Sequence, residues 1–350
     1  MTRKAATIAR YGGIMPRFDY EATTWNATHV VVVDGGEVMD GDFQVIETWK
    51  GDLAAAARLS IPELAVFKDV NTRKVSDWFR QRETNPRDVV TGRKMVLFLV
   101  KAGQGEDQWL SAMLHFDFRH HIDYSVVWVE NQDAYAIEQP RNPGPNVIVP
   151  LDGGIAKLKS DVANLFILRS RFDQVMQRGN GAEKATALRE FAISNSWHAR
   201  HRAFAALGRC GPSAAPVLRG IVDDPEFVKY HGDAIEALAA ALAEDGGSDL
   251  LKLLREETSF WKMRGPTLQV GWWNSDTDGV KQLQFRYGRL VAVLRSVEKR
   301  PFAEVKNAVE DLRYFWRSLP QLEDKSGLNE ISENCDRILL RLSELSAGDR

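Results

Sequence analysis

Cysteine is nearly absent from this chain: Cys210 and Cys335 are the two among 350 residues. They lie far apart in the C-terminal half, which argues against a disulfide-stapled fold, and no Cys-x-x-Cys pair is present. Charge of one sign is not in surplus either. The 46 basic and 48 acidic residues leave a formal net charge of −2, which disfavours nucleic acid or an anionic membrane surface as the main partner. No segment approaches the roughly 18 consecutive apolar residues of a membrane span. The basic start, Met1 to Arg10, is not followed by an apolar stretch, so the sequence as given reads as cytoplasmic. Export to the periplasm is expected instead if translation begins upstream of Met1. Gly-rich pieces such as Asp34-Gly35-Gly36 and Gly153-Gly154 lack the phosphate-loop pattern. A Gly-x-Ser-x-Gly elbow is missing, as is a Cys paired with His and Asn as a nucleophile.

What is present is the material of a two-domain α+β protein. Hydrophobic residues make up 44% and charged residues 27%, enough for full cores in a chain of this length. Strand signals run through residues 28–150. They are the β-branched run Thr28–Val33, Phe43–Trp49 ending at Lys50-Gly51-Asp52, Leu59–Phe67, Lys94–Val100, Asp123–Val129, Ala134–Ile137 and Asn146–Val149. Val75–Arg80 alone looks helical among them. Short strands with Gly or Asp turns predict a small closed or partly open barrel over residues 1–154.

Near Gly154 the period changes. Val162, Leu165, Phe166, Leu168 and Phe172 share one helical stripe, and residues 155–350 read as α-helical. A weak repeat lies inside this half: Ala203-Phe-Ala-Ala-Leu207 matches Ala234-Ile-Glu-Ala-Leu238 at an offset of 31. Asn195, Gly211-Pro212, Asp224-Pro225 and Gly246-Gly247 mark the turns between the helices. One helix pair cannot bury its apolar face alone, so such units stack in series. Ser196–Gly208, Ala214–Leu218 and Val222–Asp224 resemble HEAT repeats of the bacterial type, over about Ala182–Thr258. The resemblance implies a solenoid that binds a protein partner. Three further amphipathic stretches, Val280–Val297, Phe302–Arg317 and Asn329–Leu345, are expected to cap the stack.

A second resemblance concerns the N-terminal half. Ala27–Val33 followed by Phe43–Asp52, with Trp49-Lys50-Gly51 at a strand end, resembles the first strands of bacterial netrin-like domains, the OB-type barrel shared with tissue inhibitors of metalloproteinases. Those inhibitors chelate zinc through an N-terminal cysteine. No Cys precedes Cys210 here, so inhibition does not carry over, and only a barrel able to bind something is implied. An oligonucleotide or glycan is the weakest of the ligands considered.

Two constellations are candidate sites. In His115–Asp123, a continuous strand would put His115, Asp117, His121 and Asp123 on one face, with His120 opposite, where Zn²⁺ could be held. Without a defined ligand spacing, a solvated polar strand is the preferred reading. Trp261, Trp272 and Trp273 fall in an irregular segment, residues 261–278, and are candidate partner contacts. Packing of these rings between the repeats and the cap is again preferred, because exposed rings promote aggregation. His198 and His201, three residues apart at a helix start, read as surface residues, and Asp233 as a first-turn carboxylate suited to the helix dipole. The expectation is therefore a non-enzymatic interaction or scaffold protein without a cofactor, and the alternative is a metal-binding module or metal-dependent enzyme that uses the His115–His121 cluster with Zn²⁺.

Overall fold

The structure is a computed structural model that describes residues 20–34, 42–61, 94–101, 109–112, 126–138, 147–179, 181–269, 272–274, 277–319 and 330–348. It is α+β and forms two compact units, Met1–Ser170 and Arg171–Arg350. The expected helix at Val75–Arg80 lies outside the described residues.

The first unit opens with a short helix, α1 (Tyr20–Asn26), which the sequence did not announce. An antiparallel sheet follows: β1 (His29–Asp34), β2 (Asp42–Lys50), β3 (Arg58–Ser60), β4 (Lys94–Lys101), β5 (Trp109–Ser111), β6 (Val126–Glu130), β7 (Asp133–Glu138) and β8 (Val147–Pro150). Seven strands run in the order β3-β2-β1-β4-β6-β7-β8, and β5 pairs with the end of β4. Strand β1 is flanked by β2 and β4, with His29 opposite Leu99 and Asp34 opposite Lys94. Both faces of β1 are buried. Val31 and Val33 join Phe43, Leu97 and Trp128 on one side, while Val30 and Val32 join Phe98 and Val127 on the other. Such a strand carries β-branched residues at every position instead of alternating with polar ones.

The barrel expectation is corrected here: among the described residues the sheet is open, ending at β3 and β8. One face is covered by helix α2 (Gly154–Met176), whose Leu158 and Val162 pack into the Val30–Phe98 cluster. A helix thus fills space that a closed barrel fills with its own strands. The turn into α2 needs glycine. Gly154 has φ +61°, and a Cβ there would stand 2.2 Å from the Gln132 carbonyl oxygen. Lys50, at the end of β2, is buried, with its ammonium 4.1 Å from the centre of the Phe166 ring and 3.3 Å from the Thr24 carbonyl it donates to.

The second unit is helical: α3 (Ala182–Ala192), α4 (Trp197–Arg209), α5 (Ala215–Val222), α6 (His231–Leu242), α7 (Gly247–Arg264), α8 (Asp278–Lys299), α9 (Lys306–Arg317) and α10 (Glu330–Gly348). Side-chain caps begin α4 and α8. Ser196 accepts from the Ala199 amide at 3.1 Å, and Asp224 caps the 3₁₀ turn Pro225–Tyr230 through the Glu226 amide at 2.9 Å. Helix α3 packs on α4, α5 on α6, α7 on α8 and α9 on α10, while α4, α6, α8 and α10 pack on one another in that order. Small residues set this spacing: a Cβ on Gly208 of α4 would meet the Ala240 Cβ of α6 at 3.1 Å. The expected terminal cap is therefore differently arranged. Helix α8 lies between α6 and α10, inside the row. The segment from Trp261 is also more regular than expected, since α7 continues to Arg264 before the 3₁₀ turns Gly265–Thr267 and Trp272–Asn274.

Candidate functional site

His115, Asp117 and His121, with His120 and Asp123, lie outside the described residues. Among the described residues, no three His, Cys, Asp or Glu side chains gather as a metal site. The tryptophans are placed in packing. Trp261 of α7 is fully buried and stands edge-on to Trp316 of α9, with ring centres 5.4 Å apart. Trp272 is buried against Trp261 at 6.0 Å, and Trp273 packs against Tyr287 of α8 at 5.0 Å. These rings join α7, α8 and α9, so Trp261 and Trp272 offer little surface to a partner. His198, expected at the surface, is buried and lies 2.9 Å from Arg202 Nε. His201 is exposed and stacks flat on Trp197, with planes 7° apart.

Two of the concave regions of the helical unit are lined by clustered ionisable side chains. The first is a groove of about 430 Å³ along α4 and α6, lined by His201, Phe204 and Gly208 on one side and Asp233, Glu236 and Ala237 on the other. Asp233 faces Arg200 at 3.9 Å, and burial raises its carboxyl above the usual range. Trp197, at the start of α4, is 53% exposed although it is the largest of the side chains.

The second is a cavity of about 490 Å³ bounded by the 3₁₀ turn before α6, the end of α7 and the first half of α8. Its chemistry rests on a buried charge cluster. Glu257 of α7 is wholly inaccessible, with Arg289 Nε 2.9 Å and Arg286 Nη2 3.1 Å from its Oε1. Neither carboxylate oxygen has a hydrogen bond of good geometry, and the Nε atoms of both arginines also lack one. Close approach without alignment recovers only part of the solvation lost on burial. Burial accordingly pushes the Glu257 carboxyl up to about 7, against the pull of Arg286 and Arg289.

Arg289 is otherwise well tied. Its Nη1 donates to the Val222 carbonyl at 3.1 Å and lies 3.1 Å from His231 Nδ1. A guanidinium only donates, so Nδ1 of His231 must accept. The proton then sits on Nε2, which donates to the Asp224 carbonyl at 2.9 Å. This is a neutral imidazole in a fixed tautomer, and burial lowers its pKa in the same sense. Arg286 lies over the Phe260 ring, 4.2 Å from its centre. Arg264 and the first-turn residue Gly279 of α8 complete the polar side of the cavity.

Sequence reasoning missed this cluster, although one signal was available. Arg286 and Arg289 stand beside Leu283, Leu290 and Val293 on the stripe of α8 that is otherwise apolar and buried. Compared with known protein families, curated proteins and solved structures, the chain matches none.

Proposed function

We propose that the helical unit is a HEAT-type repeat stack that binds a protein partner along α4 and α6, without catalysing a reaction. The observation that carries this reading is the regular pairing of α3–α4, α5–α6, α7–α8 and α9–α10 around one continuous row of helices. Such stacks present long surfaces that are not consumed by their own packing. The surface in question here has a suitable anchor. Trp197 is a large ring left half-exposed one helical turn before the groove-lining His201, and its stack on that imidazole stiffens it. Along the groove His201, Arg209, Asp233 and Glu236, with Arg200 facing Asp233, supply mixed polar lining.

The test uses the full chain carrying a photo-crosslinking residue at Ala205, inside the groove, or at Glu190, exposed on α3. A protein captured from Ala205, not from Glu190, and lost in Trp197→Ala supports the reading. Equal capture at both positions, or none at Ala205, refutes it.

A further inference from the structure

We propose that the cavity between α6, α7 and α8 binds a small organic monocarboxylate with an apolar body. This site shares no residue with the α4–α6 groove and does not depend on the reading of that groove.

Size comes first. At about 490 Å³ the cavity falls in the range of about 300 to 1,000 Å³ typical of small-ligand sites. Its walls are of two kinds. Pro225, Val228, Phe260 and Leu283 supply apolar lining, and Arg264, Arg286 and Arg289 supply cationic lining, with Arg286 seated over the Phe260 ring. An apolar body joined to one anionic head matches that division.

The guanidiniums are only partly satisfied within the cluster. The Nε atoms of Arg286 and Arg289 are buried without a hydrogen bond of good geometry, although Arg289 Nε stands 2.9 Å from Glu257 Oε1, and such groups are uncommon in native proteins. Arg286 is held over the Phe260 ring, so the planar fork is fixed in the way that two-point recognition of a carboxylate requires. The helix α8 begins at Asp278, so its first-turn end adds partial positive charge where Gly279 lines the wall.

Charge selects the head group. Three arginines line the cavity, while Asp223 lines it and Glu256 and Glu257 lie against Arg289. With all groups ionised the three arginines and three carboxylates cancel, and with Glu257 protonated one positive charge is left for one added negative charge to neutralise. A dianionic phosphate would bring surplus charge into a partly buried place. Neutralisation of the buried Glu257 carboxyl near neutral pH frees its two arginine partners for the single charge of a ligand.

The experiment is calorimetric titration of the full chain with benzoate, benzyl alcohol, benzylamine, inorganic phosphate and a tetrapeptide ending in phenylalanine. Benzoate is expected to bind, with benzyl alcohol about tenfold weaker or worse for loss of the charge-assisted hydrogen bonds. Arg264→Ala removes an exposed side chain outside the buried ion cluster and is expected to weaken benzoate about tenfold. Arg286→Lys keeps the charge, loses the planar fork and should weaken benzoate similarly. Trp197→Ala should leave benzoate unchanged. Benzyl alcohol binding as well as benzoate, indifference to Arg264→Ala, or no heat with benzoate would each overturn the proposal. Tighter phosphate would reassign the site to phosphate, and a tighter tetrapeptide would reassign it to chain termini; both outcomes refute a small-acid site.

Discussion

Replacing Glu257 by glutamine and following stability against pH separates two opposed forces, burial and the attraction of Arg286 and Arg289. Below pH 4.5 the carboxyl is protonated in folded and unfolded chains alike and adds no pH dependence. Between 4.5 and about 7 the folded chain keeps the proton and the unfolded chain has lost it. The folded state then binds more protons, so stability falls as pH rises. Above about 7 the full cost is present: moving the carboxyl from 4.5 to about 7 is worth about 3 kcal/mol, at about 1.4 kcal/mol per tenfold change. Glutamine has nearly the same shape and does not titrate. Both guanidiniums stay charged throughout, so their contributions carry no pH dependence into the difference between the two proteins. Urea unfolding read by far-ultraviolet circular dichroism, at intervals from about pH 4.5 to 8.5, measures that difference. Wild type should lose about 3 kcal/mol relative to Glu257→Gln across this range. Parallel curves would refute the reasoning. So would wild type gaining on the variant as pH rises from acid, because that places the carboxyl below 4.5 and makes the arginines the stronger force.

Two further tests concern the frame around the sites. Gly154→Ala forces a methyl against the Gln132 carbonyl at positive φ and should cost about 2 kcal/mol or more, whereas Gly288→Ala meets nothing within 4 Å inside α8 and should stabilise by about 0.5–1 kcal/mol. Urea midpoints for the two variants check both, and a neutral Gly154→Ala would refute the turn. The thiols should be silent in the native protein. Cys210 and Cys335 are buried, and burial pushes the Cys335 thiol up to about 12, so Ellman's reagent should find no fast thiol until urea exposes both.

The parts of the fold legible in the sequence are those where one local signal agrees with tertiary packing. The Val30–Val33 run appears as β1 because a strand buried on both faces has no position for a polar residue. Ala203–Leu207 and Ala234–Leu238 match in sequence because α4 and α6 occupy neighbouring places in one row and need the same small residues there. Helix α1 escaped because seven residues hold too few turns to show a period, and β5 because three residues show no alternation. The barrel was over-read for a physical reason: strand signals report pairing partners poorly, and whether a sheet closes depends on what covers its face. The second cavity was illegible for a related reason. Glu257, Arg286, Arg289 and His231 come from three helices, and in sequence each resembles an ordinary charged or polar position on a helix. Their meaning arises from burial, which a single sequence reports only as an arginine on an apolar stripe.

The neighbour-to-neighbour packing of the helix pairs bears on the order in which the molecule forms. Most of those contacts join segments close along the chain, so each pair can assemble as soon as its two helices exist. The sheet is different: β1 is held by β4, and the Thr28 hydroxyl donates to the Leu99 carbonyl across 71 residues. Closing so long a loop must be paid for in chain entropy before any pairing rewards it. Refolding should therefore show helical signal rising first, and the burial of Trp128 in the sheet core arriving as the slower phase.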